Sequence, residues 1–264
     1  MASETEKLIA RKDGAIGQLI FNNPERRNAL SIDMWQGIPA ILEAFERDPE
    51  VRVVMFAGAG DKAFVSGADI SQFESARFSA EADDRYSALT DAALHALAQL
   101  AKPSIAMIRG FCIGGGLAVA LSCDLRVAAE DAKFGIPAAR LGLGYRFDGV
   151  KKLVDIVGPA NASEILFTAR HVDAQDALRM GLVNKVVPVA DLENTARAYA
   201  GWIADNAPLT VRASKLAVRE AVTDPERRDL GRVDAAIVAC FQSADFVEGR
   251  TAFLEKRRPK FSGT

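Results

Sequence analysis

The chain has 264 residues, of which 49% are hydrophobic, and its 33 basic and 35 acidic side chains leave a formal net charge of −2 at pH 7. This length fits one large domain or two modest ones, and the balanced charge gives no reason to expect a nucleic-acid or acidic-membrane partner. The segment Met1–Asp13 lacks the apolar core of a secretory signal, and the longest apolar stretch, around Phe111–Leu121, is too short to span a bilayer, so we expect a cytoplasmic protein with no membrane segment.

Strands and helices are predicted to alternate in the first half of the chain. Asp13-Gly14 is a strong hairpin signal between the extended runs Lys7–Lys12 and Ala15–Phe21. Further elements are predicted in chain order: a loop at Asn22–Asn28, a helix from about Ser31, a strand at Val51–Ala57, a loop at Gly58–Ile70, a helix after Asp84, and strands at Ser104–Ile108 and Leu125–Ala128. This alternation favours an α/β core with parallel strand pairing.

From Pro159 onward the pattern is almost entirely helical. Predicted helices cover Asn161–Thr168, Ala174–Met180, Ala190–Asn206, Val211–Val222 and Asp229–Ala244, with a single strand at Leu182–Val187. We therefore predict a core followed by a helical C-terminal part. The apolar stripes of these helices exceed what one core needs, which favours subunit contacts.

A glycine run, Gly114–Gly116, lies between the predicted strand at Ser104–Ile108 and a short helix pattern at Leu117–Leu121. Glycines at such a turn allow another molecule to approach the bare backbone. The first amides of a helix have no internal partner and lie at its positive end, so they bind an anion or an oxygen that is becoming one. A tight turn with close helix packing explains the run equally well.

A second glycine turn, Val65–Ile70, follows the strand Val51–Ala57. Two such turns are expected to converge at the carboxyl edge of a sheet, where α/β proteins place their ligands. Two amides directed at one oxygen form an oxyanion hole, which suits a thioester carbonyl that becomes an enolate.

Other motifs carry less chemistry. Gly58–Ala63 is similar to a dinucleotide-binding fingerprint, but no long helix opens from it, so a surface turn is the preferred interpretation. His95 and His171 are interpreted as structural or surface residues, because the chain has no G-x-S-x-G and no metal-ligand spacing. All three cysteines are predicted to be buried thiols: Cys112, Cys123 and Cys240. Cys112, next to the glycine run, is the one candidate for a reactive thiol.

Five segments in one register carry a resemblance that spans nearly the whole chain: NNPERRNAL, VSGADI, CIGGGLAVALSCDLRVAAEDAKFGIPAARLGLG, ARHVDAQDALRMGLVNKVVP and FLEKRRPKF. They resemble the crotonase superfamily, whose best-known member is enoyl-CoA hydratase. The resemblance implies an α/β fold with a spiral core of repeated ββα units over residues 1–200. It also implies a helical trimerisation region over residues 201–264, and hence a homotrimer or homohexamer.

The same resemblance implies an acyl-CoA substrate, with coenzyme A as part of that substrate and no permanently bound cofactor or metal. The amides of Ala68 and Gly115 would form the thioester oxyanion hole, and the backbone of Ala68, Asp69 and Ile70 would flank the adenine. Four basic residues are candidates for the phosphate and adenine pocket: Arg26, Arg27, Lys62 and, from a neighbouring subunit, Lys256. For each of them, a solvated surface charge without a binding role is an equal alternative.

Two positions depart from the hydratases of this superfamily, which use two glutamates. Ala118 stands three residues beyond the second oxyanion donor, and Ala138 follows the proline of Phe134–Pro137. Hydration requires a positioned acid and base, each worth about 10²–10⁴-fold in rate, and alanine supplies neither. We therefore predict that the protein is not an efficient enoyl-CoA hydratase.

The loop Arg140–Asp148 resembles the corresponding loop of methylmalonyl-CoA decarboxylase, with Tyr145 at its active-site tyrosine. Decarboxylation suits the missing glutamates, because it needs enolate stabilisation but no base. Arg140 or Arg146 is a candidate for holding the carboxylate. Asp148 is a candidate proton shuttle in double-bond isomerisation or a nucleophile, with helix capping as the structural alternative.

The match to the decarboxylase is incomplete, since that enzyme has a histidine at the position of Ala68 and an acid at that of Ala118. The acyl group therefore stays open. Two further hypotheses compete with an acyl-CoA lyase or isomerase: a catalytically silent acyl-CoA-binding oligomer, and a dinucleotide-binding oxidoreductase that uses Gly58 and Gly60.

Overall fold

A computed structural model describes residues 5–69 and 80–264. Within these residues the larger sheet has six strands in the order β1-β2-β3-β5-β7-β10. The hairpin β1/β2 is antiparallel, and the other neighbours in this sheet are parallel. Its strands are β1 Leu8–Asp13, β2 Ile16–Phe21, β3 Val53–Gly58, β5 Ser104–Ile108, β7 Leu125–Ala129 and β10 Lys185–Val187.

The smaller sheet has four short strands in the order β4-β6-β8-β9. Strands β4, β6 and β8 run parallel, and β9 closes the sheet antiparallel to β8. Its strands are β4 Ala63–Val65, β6 Phe111–Ile113, β8 Lys133–Gly135 and β9 Val172–Asp173.

The described α-helices are α1 Ile32–Arg47, α2 Ala80–Gln99, α3 Gly115–Ser122, α4 Phe147–Thr168, α5 Ala174–Arg179, α6 Leu192–Ala204, α7 Pro208–Val222, α8 Leu230–Gln242 and α9 Ala244–Leu254. Short 3₁₀ helices cover Pro24–Arg26, Pro137–Leu141, Val189–Asp191 and Pro225–Arg227. In the described part of the chain, no helix combines the length and apolar character needed to cross a membrane.

The chain repeats one unit of two strands and a helix. The pairs β3–β4, β5–β6 and β7–β8 each place their first strand in the larger sheet and their second in the smaller one. The helix that follows each pair, α2, α3 or α4, contributes buried residues to the main core. This is the predicted α/β arrangement of ββα units, followed by the predicted C-terminal helices.

Both faces of the larger sheet are covered, as the near-continuous apolar run of β3 predicts. Val54 and Phe56 lie in the main core with α1, α2 and α3. Val53 and Met55 face the other way, into a second cluster that α6 completes. Helix α6 crosses the predicted boundary between residues 200 and 201, and its buried residues pack against the larger sheet.

Several predicted elements differ from those observed. The predicted loop Gly58–Ile70 contains β4, and β6, β8 and β9 were not predicted at all. Strands of two or three residues are too short to show a period-2 pattern. The predicted helix Asp229–Ala244 is two helices, because Ser243 ends α8 and caps α9 by accepting a hydrogen bond from the Phe246 amide at 3.1 Å.

Candidate active site

The two glycine turns lie side by side. Strands β4 and β6 are parallel neighbours, with Ala63 opposite Phe111 and Val65 opposite Cys112. The turn after β4 and the start of α3 after β6 therefore leave the smaller sheet at the same edge. This confirms the predicted convergence of the two turns.

The direction of the Ala68 amide is fixed by a short parallel bridge to Leu30. The Leu30 amide donates to the Gly67 carbonyl at 2.8 Å, and the Asp69 amide donates to the Leu30 carbonyl at 2.9 Å. Because successive peptide groups of an extended segment point to opposite sides, the Ala68 N–H points away from Leu30.

The start of α3 is anchored by Gly114, whose amide donates to the Gly135 carbonyl of β8 at 2.9 Å. Gly115 is the first residue of the helix, so its N–H has no partner within the helix and lies at the positive end of the dipole. Among residues 5–69 and 80–264, neither the Gly115 nor the Ala68 amide has a hydrogen-bond acceptor. Both donors are thus available to a ligand oxygen.

Glycine is required by the backbone conformation of the two turns and by the packing of the start of α3. Gly67 and Gly114 have φ values of +119° and +54°, which side chains rarely adopt, and a Cβ added to Gly114 would lie 3.9 Å from the Gly67 Cα. A Cβ added to Gly116 would overlap the carbonyl oxygen of Val65. The helix start therefore packs directly on the backbone of β4 and its turn.

An aromatic pair lies next to Gly115. A Cβ added to Gly115 would be 3.3 Å from Cζ2 of Trp35 on α1, and the Trp35 Nε1–H donates to the Tyr86 hydroxyl of α2 at 3.3 Å. The sequence places Trp35 on the apolar face of a helix, but it contains no signal that Tyr86 meets it here.

Ala118 and Ala138 present methyl groups, and both are partly accessible to solvent. Next to Ala118 the structure has a polar pair that sequence reasoning missed. The Ser122 hydroxyl donates to the Ala118 carbonyl at 2.9 Å and accepts a hydrogen bond from Lys152 Nζ at 2.9 Å. The signal available in the sequence is the register of Gly115, Ala118 and Ser122, which lie on one face of α3.

The loop Arg140–Asp148 brings one candidate side chain against the protein interior. Tyr145 is half-buried, packs against the main core and Gly149, and burial raises the pKa of its hydroxyl. Arg146 is exposed and forms an ion pair with Asp91 at 3.3 Å. Asp148 is exposed in the first turn of α4, where Arg146 is the N-cap residue, so the predicted capping by Asp148 is wrong.

The predicted basic residues differ in how they are held. Arg26 donates to the buried Asp69 carboxylate at 2.9 Å, next to Ala68. The exposed Arg27 guanidinium lies 5.0 Å from the centre of the Phe111 ring. Lys62 and Lys256 are exposed. Ile70, predicted to flank the adenine, lies outside the described residues.

Most of the weaker motifs take the structural roles preferred from the sequence, but the prediction of a buried thiol is wrong for Cys240, which is partly accessible because no residue of α8 is buried. The turn after Gly58 leads into β4 rather than into a helix. Cys112 is fully buried, and desolvation raises the pKa of its thiol well above the ordinary value, which makes it unreactive. His171 packs edge-on against Phe111 at 5.9 Å. In the described part of the chain, no group of three or more His, Cys, Asp or Glu side chains is placed to hold a metal ion.

Comparisons with known proteins agree with this architecture. The family model for enoyl-CoA hydratase/isomerase matches residues 11–264. The chain is 37% identical over 255 residues to the short-chain-enoyl-CoA hydratase of Clostridium acetobutylicum, with 97% of each chain covered. It is 38% identical over 256 residues to the crotonyl-CoA hydratase of Syntrophomonas wolfei, with 97% of this chain and 98% of the relative covered.

Solved structures give the same result. A crystal structure of an enoyl-CoA hydratase/carnithine racemase from Magnetospirillum magneticum superposes with a TM-score of 0.92 at 34% identity, covering 99% of this chain and 97% of the other. An enoyl-CoA hydratase structure from Geobacillus kaustophilus superposes with a TM-score of 0.89 at 37% identity, covering 99% of this chain and all of the other. The sequence match over nearly the full length and the shared ββα architecture lead to one conclusion: the chain is a member of the enoyl-CoA hydratase/isomerase family, within the crotonase superfamily.

Proposed function

We propose that the protein binds an acyl-CoA thioester and stabilises the enolate that forms from it. The supporting observation is the pair of amides, Ala68 and Gly115, on adjacent turns at one edge of the smaller sheet, for which the described part of the chain offers no acceptor. The thioester oxygen accepts hydrogen bonds from both, and these strengthen as negative charge builds up on it. Removing one such donor typically costs about 10²–10³-fold in rate.

The reaction that best suits this site is decarboxylation of a malonyl-type thioester. The bond between Cα and the carboxylate breaks, and its electron pair moves into the thioester to form the enolate as carbon dioxide leaves. A proton then returns to Cα, either from the half-buried Tyr145 hydroxyl or from water. No step requires the carboxylates that Ala118 and Ala138 lack, and double-bond isomerisation with Asp148 as the proton shuttle is a less favoured variant because Asp148 is exposed.

Coenzyme A itself would be held by the exposed basic residues near the glycine turn that follows β4. Lys62 and Arg27 are free of ion pairs among the described residues, whereas Arg26 is committed to Asp69. We therefore assign the phosphates to Lys62 and Arg27, and we assign Arg26 to fixing the Asp69 backbone. Lys256 is exposed and remains a candidate for a neighbouring subunit's site.

Hydration is the second candidate, because two relatives at 37% and 38% identity are named as hydratases. It requires an acid and a base that the alanines do not provide. A catalytically silent acyl-CoA-binding protein is the alternative in which neither reaction occurs.

The test is a mass-spectrometric screen of the purified protein with enoyl-, dienoyl-, malonyl-, methylmalonyl- and hydroxyacyl-CoA, followed by Tyr145→Phe and Asp148→Asn. We expect a malonyl-type substrate to lose carbon dioxide and Tyr145→Phe to slow that loss. Brisk hydration of crotonyl-CoA would overturn the proposal in favour of the second candidate. Tight binding without any turnover would support the silent protein, and a turnover that neither substitution changes would exclude both side chains from the reaction.

A further inference from the structure

The accessible side of α3 leads away from the proposed thioester site. In this helix Gly115, Ala118 and Ser122 are partly accessible, and the other five residues are buried, with Gly116 packed on Val65. The three lie at spacings of three and four residues, so they share one face. This face offers a path for an acyl chain whose thioester oxygen meets the Gly115 amide, past the Ala118 methyl group.

A cation lies at the far end of that face. Lys152 of α4 is half-buried, and its Nζ donates to Ser122 Oγ at 2.9 Å. The Ser122 hydroxyl donates its hydrogen to the Ala118 carbonyl at 2.9 Å. Its oxygen therefore acts towards Lys152 only as an uncharged acceptor. Ser122 is the sole hydrogen-bond partner of this ammonium among the described residues, where no carboxylate forms an ion pair with it.

An ammonium group has three N–H donors, and holding one half-buried against a single neutral acceptor is unfavourable. Desolvation lowers the pKa of Lys152 accordingly, and the Asp148 carboxylate, one turn earlier on α4, compensates only in part. Its neighbour Lys151 is held differently, with Nζ 2.9 Å from the Asp155 carboxylate and 3.0 Å from the Val222 carbonyl. Lys152 is therefore suited to an anionic partner, which residues 5–69 and 80–264 do not supply.

We propose that Lys152, supported by Ser122, is a specificity-determining residue that binds a carboxylate at the far end of the acyl group. This carboxylate is distinct from any that is lost at Cα. Gly115 and Ser122 are seven residues apart, or about 10 Å along the helix axis, and an extended acyl chain of about six to eight carbons covers this distance. The inference rests on the proposed thioester site but not on the reaction that follows there.

The experiment measures equilibrium binding of saturated, unreactive acyl-CoAs, so that turnover plays no part. We compare dicarboxylic acyl-CoAs of six to eight carbons with monocarboxylic acyl-CoAs of the same length, for the wild type, Lys152→Met and Ser122→Ala. Lys151→Met is the matched control, since it removes the adjacent lysine. Circular dichroism and thermal melting establish that each variant is folded.

We expect the wild type to bind the dicarboxylic compounds at least about tenfold more tightly than the monocarboxylic ones. Lys152→Met should abolish this preference without weakening monocarboxylic binding, Ser122→Ala should reduce it, and Lys151→Met should retain it. Equal affinities in the wild type, or a preference that survives in Lys152→Met, would overturn the inference. If Lys152→Met does not fold, the wild-type preference and its reduction in Ser122→Ala decide the question.

The two proposals fail in distinguishable ways. A dicarboxylic preference without any turnover would support the Lys152 site and remove the proposed reaction. Decarboxylation of a malonyl-type thioester without such a preference would do the reverse. Absence of binding by every acyl-CoA would refute both.

Discussion

Two methyl groups decide much of the chemistry at the residue scale. The oxyanion hole proposed at Ala68 and Gly115 uses backbone amides, so it tolerates many side chains around it. Acid–base catalysis does not, because a proton donor or acceptor must be positioned at the reacting atoms. With Ala118 and Ala138 the protein keeps the backbone amides but lacks the proton donor and acceptor. Replacing both alanines with glutamate therefore tests the acid–base requirement by itself.

We predict that the double substitution Ala118→Glu, Ala138→Glu raises the rate of crotonyl-CoA hydration by about 10²-fold or more over the wild type, because each carboxyl group supplies acid–base catalysis. Hydration is followed as the loss of enoyl-thioester absorbance. The matched control is Ala118→Gln, Ala138→Gln, which adds similar volume without an ionisable group and should show no gain. A wild type that already hydrates as fast as the glutamate variant would contradict the prediction.

A second residue-scale prediction concerns Gly116, where an added Cβ would overlap the Val65 carbonyl oxygen and lie 2.7 Å from the Val65 Cβ. Gly116→Ala should lower the free energy of unfolding by about 1–3 kcal/mol, because the backbone of β4 must move to accept the methyl group. Gly201→Ala in α6 is the control, since nothing lies within 4 Å of its added Cβ. It should stabilise the protein by up to about 1 kcal/mol, and urea unfolding measures both. Equal stabilities of the two variants would show that α3 does not pack on β4 as closely as described.

Residues of the site differ in how far the sequence reveals them. Gly115 and Ala68 stand in glycine turns, whose conformational demands are local and therefore visible in the sequence. Tyr86 and Lys152 lie on other helices, and only the packing of those helices brings Tyr86 to Trp35 and Lys152 to Ser122. Asp148 illustrates a local inference that was wrong, because α4 begins at Phe147 and not after Asp148.

At the element scale, α3 is fixed at both ends. Its start is tied to β8 through Gly114 and Gly135. At its other end the buried Arg126 donates to the carbonyls of Cys123 at 2.7 Å, Ala120 at 3.3 Å and, from the segment before β10, Leu182 at 2.7 Å. The Cys123 carbonyl at the helix end thus gains a donor, and the Ala120 carbonyl gains a second one besides the Cys123 amide. Ties at both ends of α3 hold the Gly115 amide at a defined position.

Long elements and short ones were predicted with different success. Strand β5 and helix α1 agree closely with their apolar patterns, because five or more residues are enough to show a period. Strands β4, β6 and β8 have three residues each, and their pairing with one another defines them rather than any local pattern. The smaller sheet that positions the two turns was therefore the part of the fold that the sequence did not reveal.

The C-terminal segment after α9 gives a prediction about pH. Glu248 accepts hydrogen bonds from the Arg257 guanidinium at 2.6 and 2.7 Å and from the Lys260 amide at 2.7 Å, which lowers its pKa from 4.5 to about 2. A carboxyl group with a depressed folded-state pKa contributes stability that is present above the unfolded value, near 4.5, and is lost as the pH falls towards 2.

We therefore predict that, below pH 4.5, the wild type loses more unfolding free energy than Glu248→Gln, whose side chain does not titrate. Urea unfolding at pH values from 6 to 3 measures the difference. Glu43→Gln is the control, because Glu43 pairs only with Arg47 of its own helix among the described contacts, and it should follow the wild type. Parallel curves for the wild type and Glu248→Gln would show that this contact does not form in solution.

At the scale of the whole molecule, the apolar residues form two sets, one buried and one exposed. One set fills the cores on both faces of the larger sheet. A second set remains exposed on the C-terminal helices: Val218, Val222, Leu230, Ile237, Val238, Phe241, Phe246, Val247, Phe253 and Leu254. A surface with this many large apolar side chains is typical of a protein–protein interface, and the predicted homotrimer or homohexamer would cover it.

Phe241 offers a direct test of this assembly. Its side chain is 62% exposed on α8 and packs edge-on against Phe246 at 5.3 Å, so an aspartate there would add charge to the apolar surface without opening the core. We predict that the wild type elutes as three or six copies in size-exclusion chromatography with light scattering, and that Phe241→Asp shifts it towards the monomer, because a charge in a desolvated interface is costly. Phe241→Leu keeps the position apolar and should preserve the assembly. A wild type that runs as a monomer at micromolar concentration, or a Phe241→Asp variant that assembles as the wild type does, would exclude this surface as the interface.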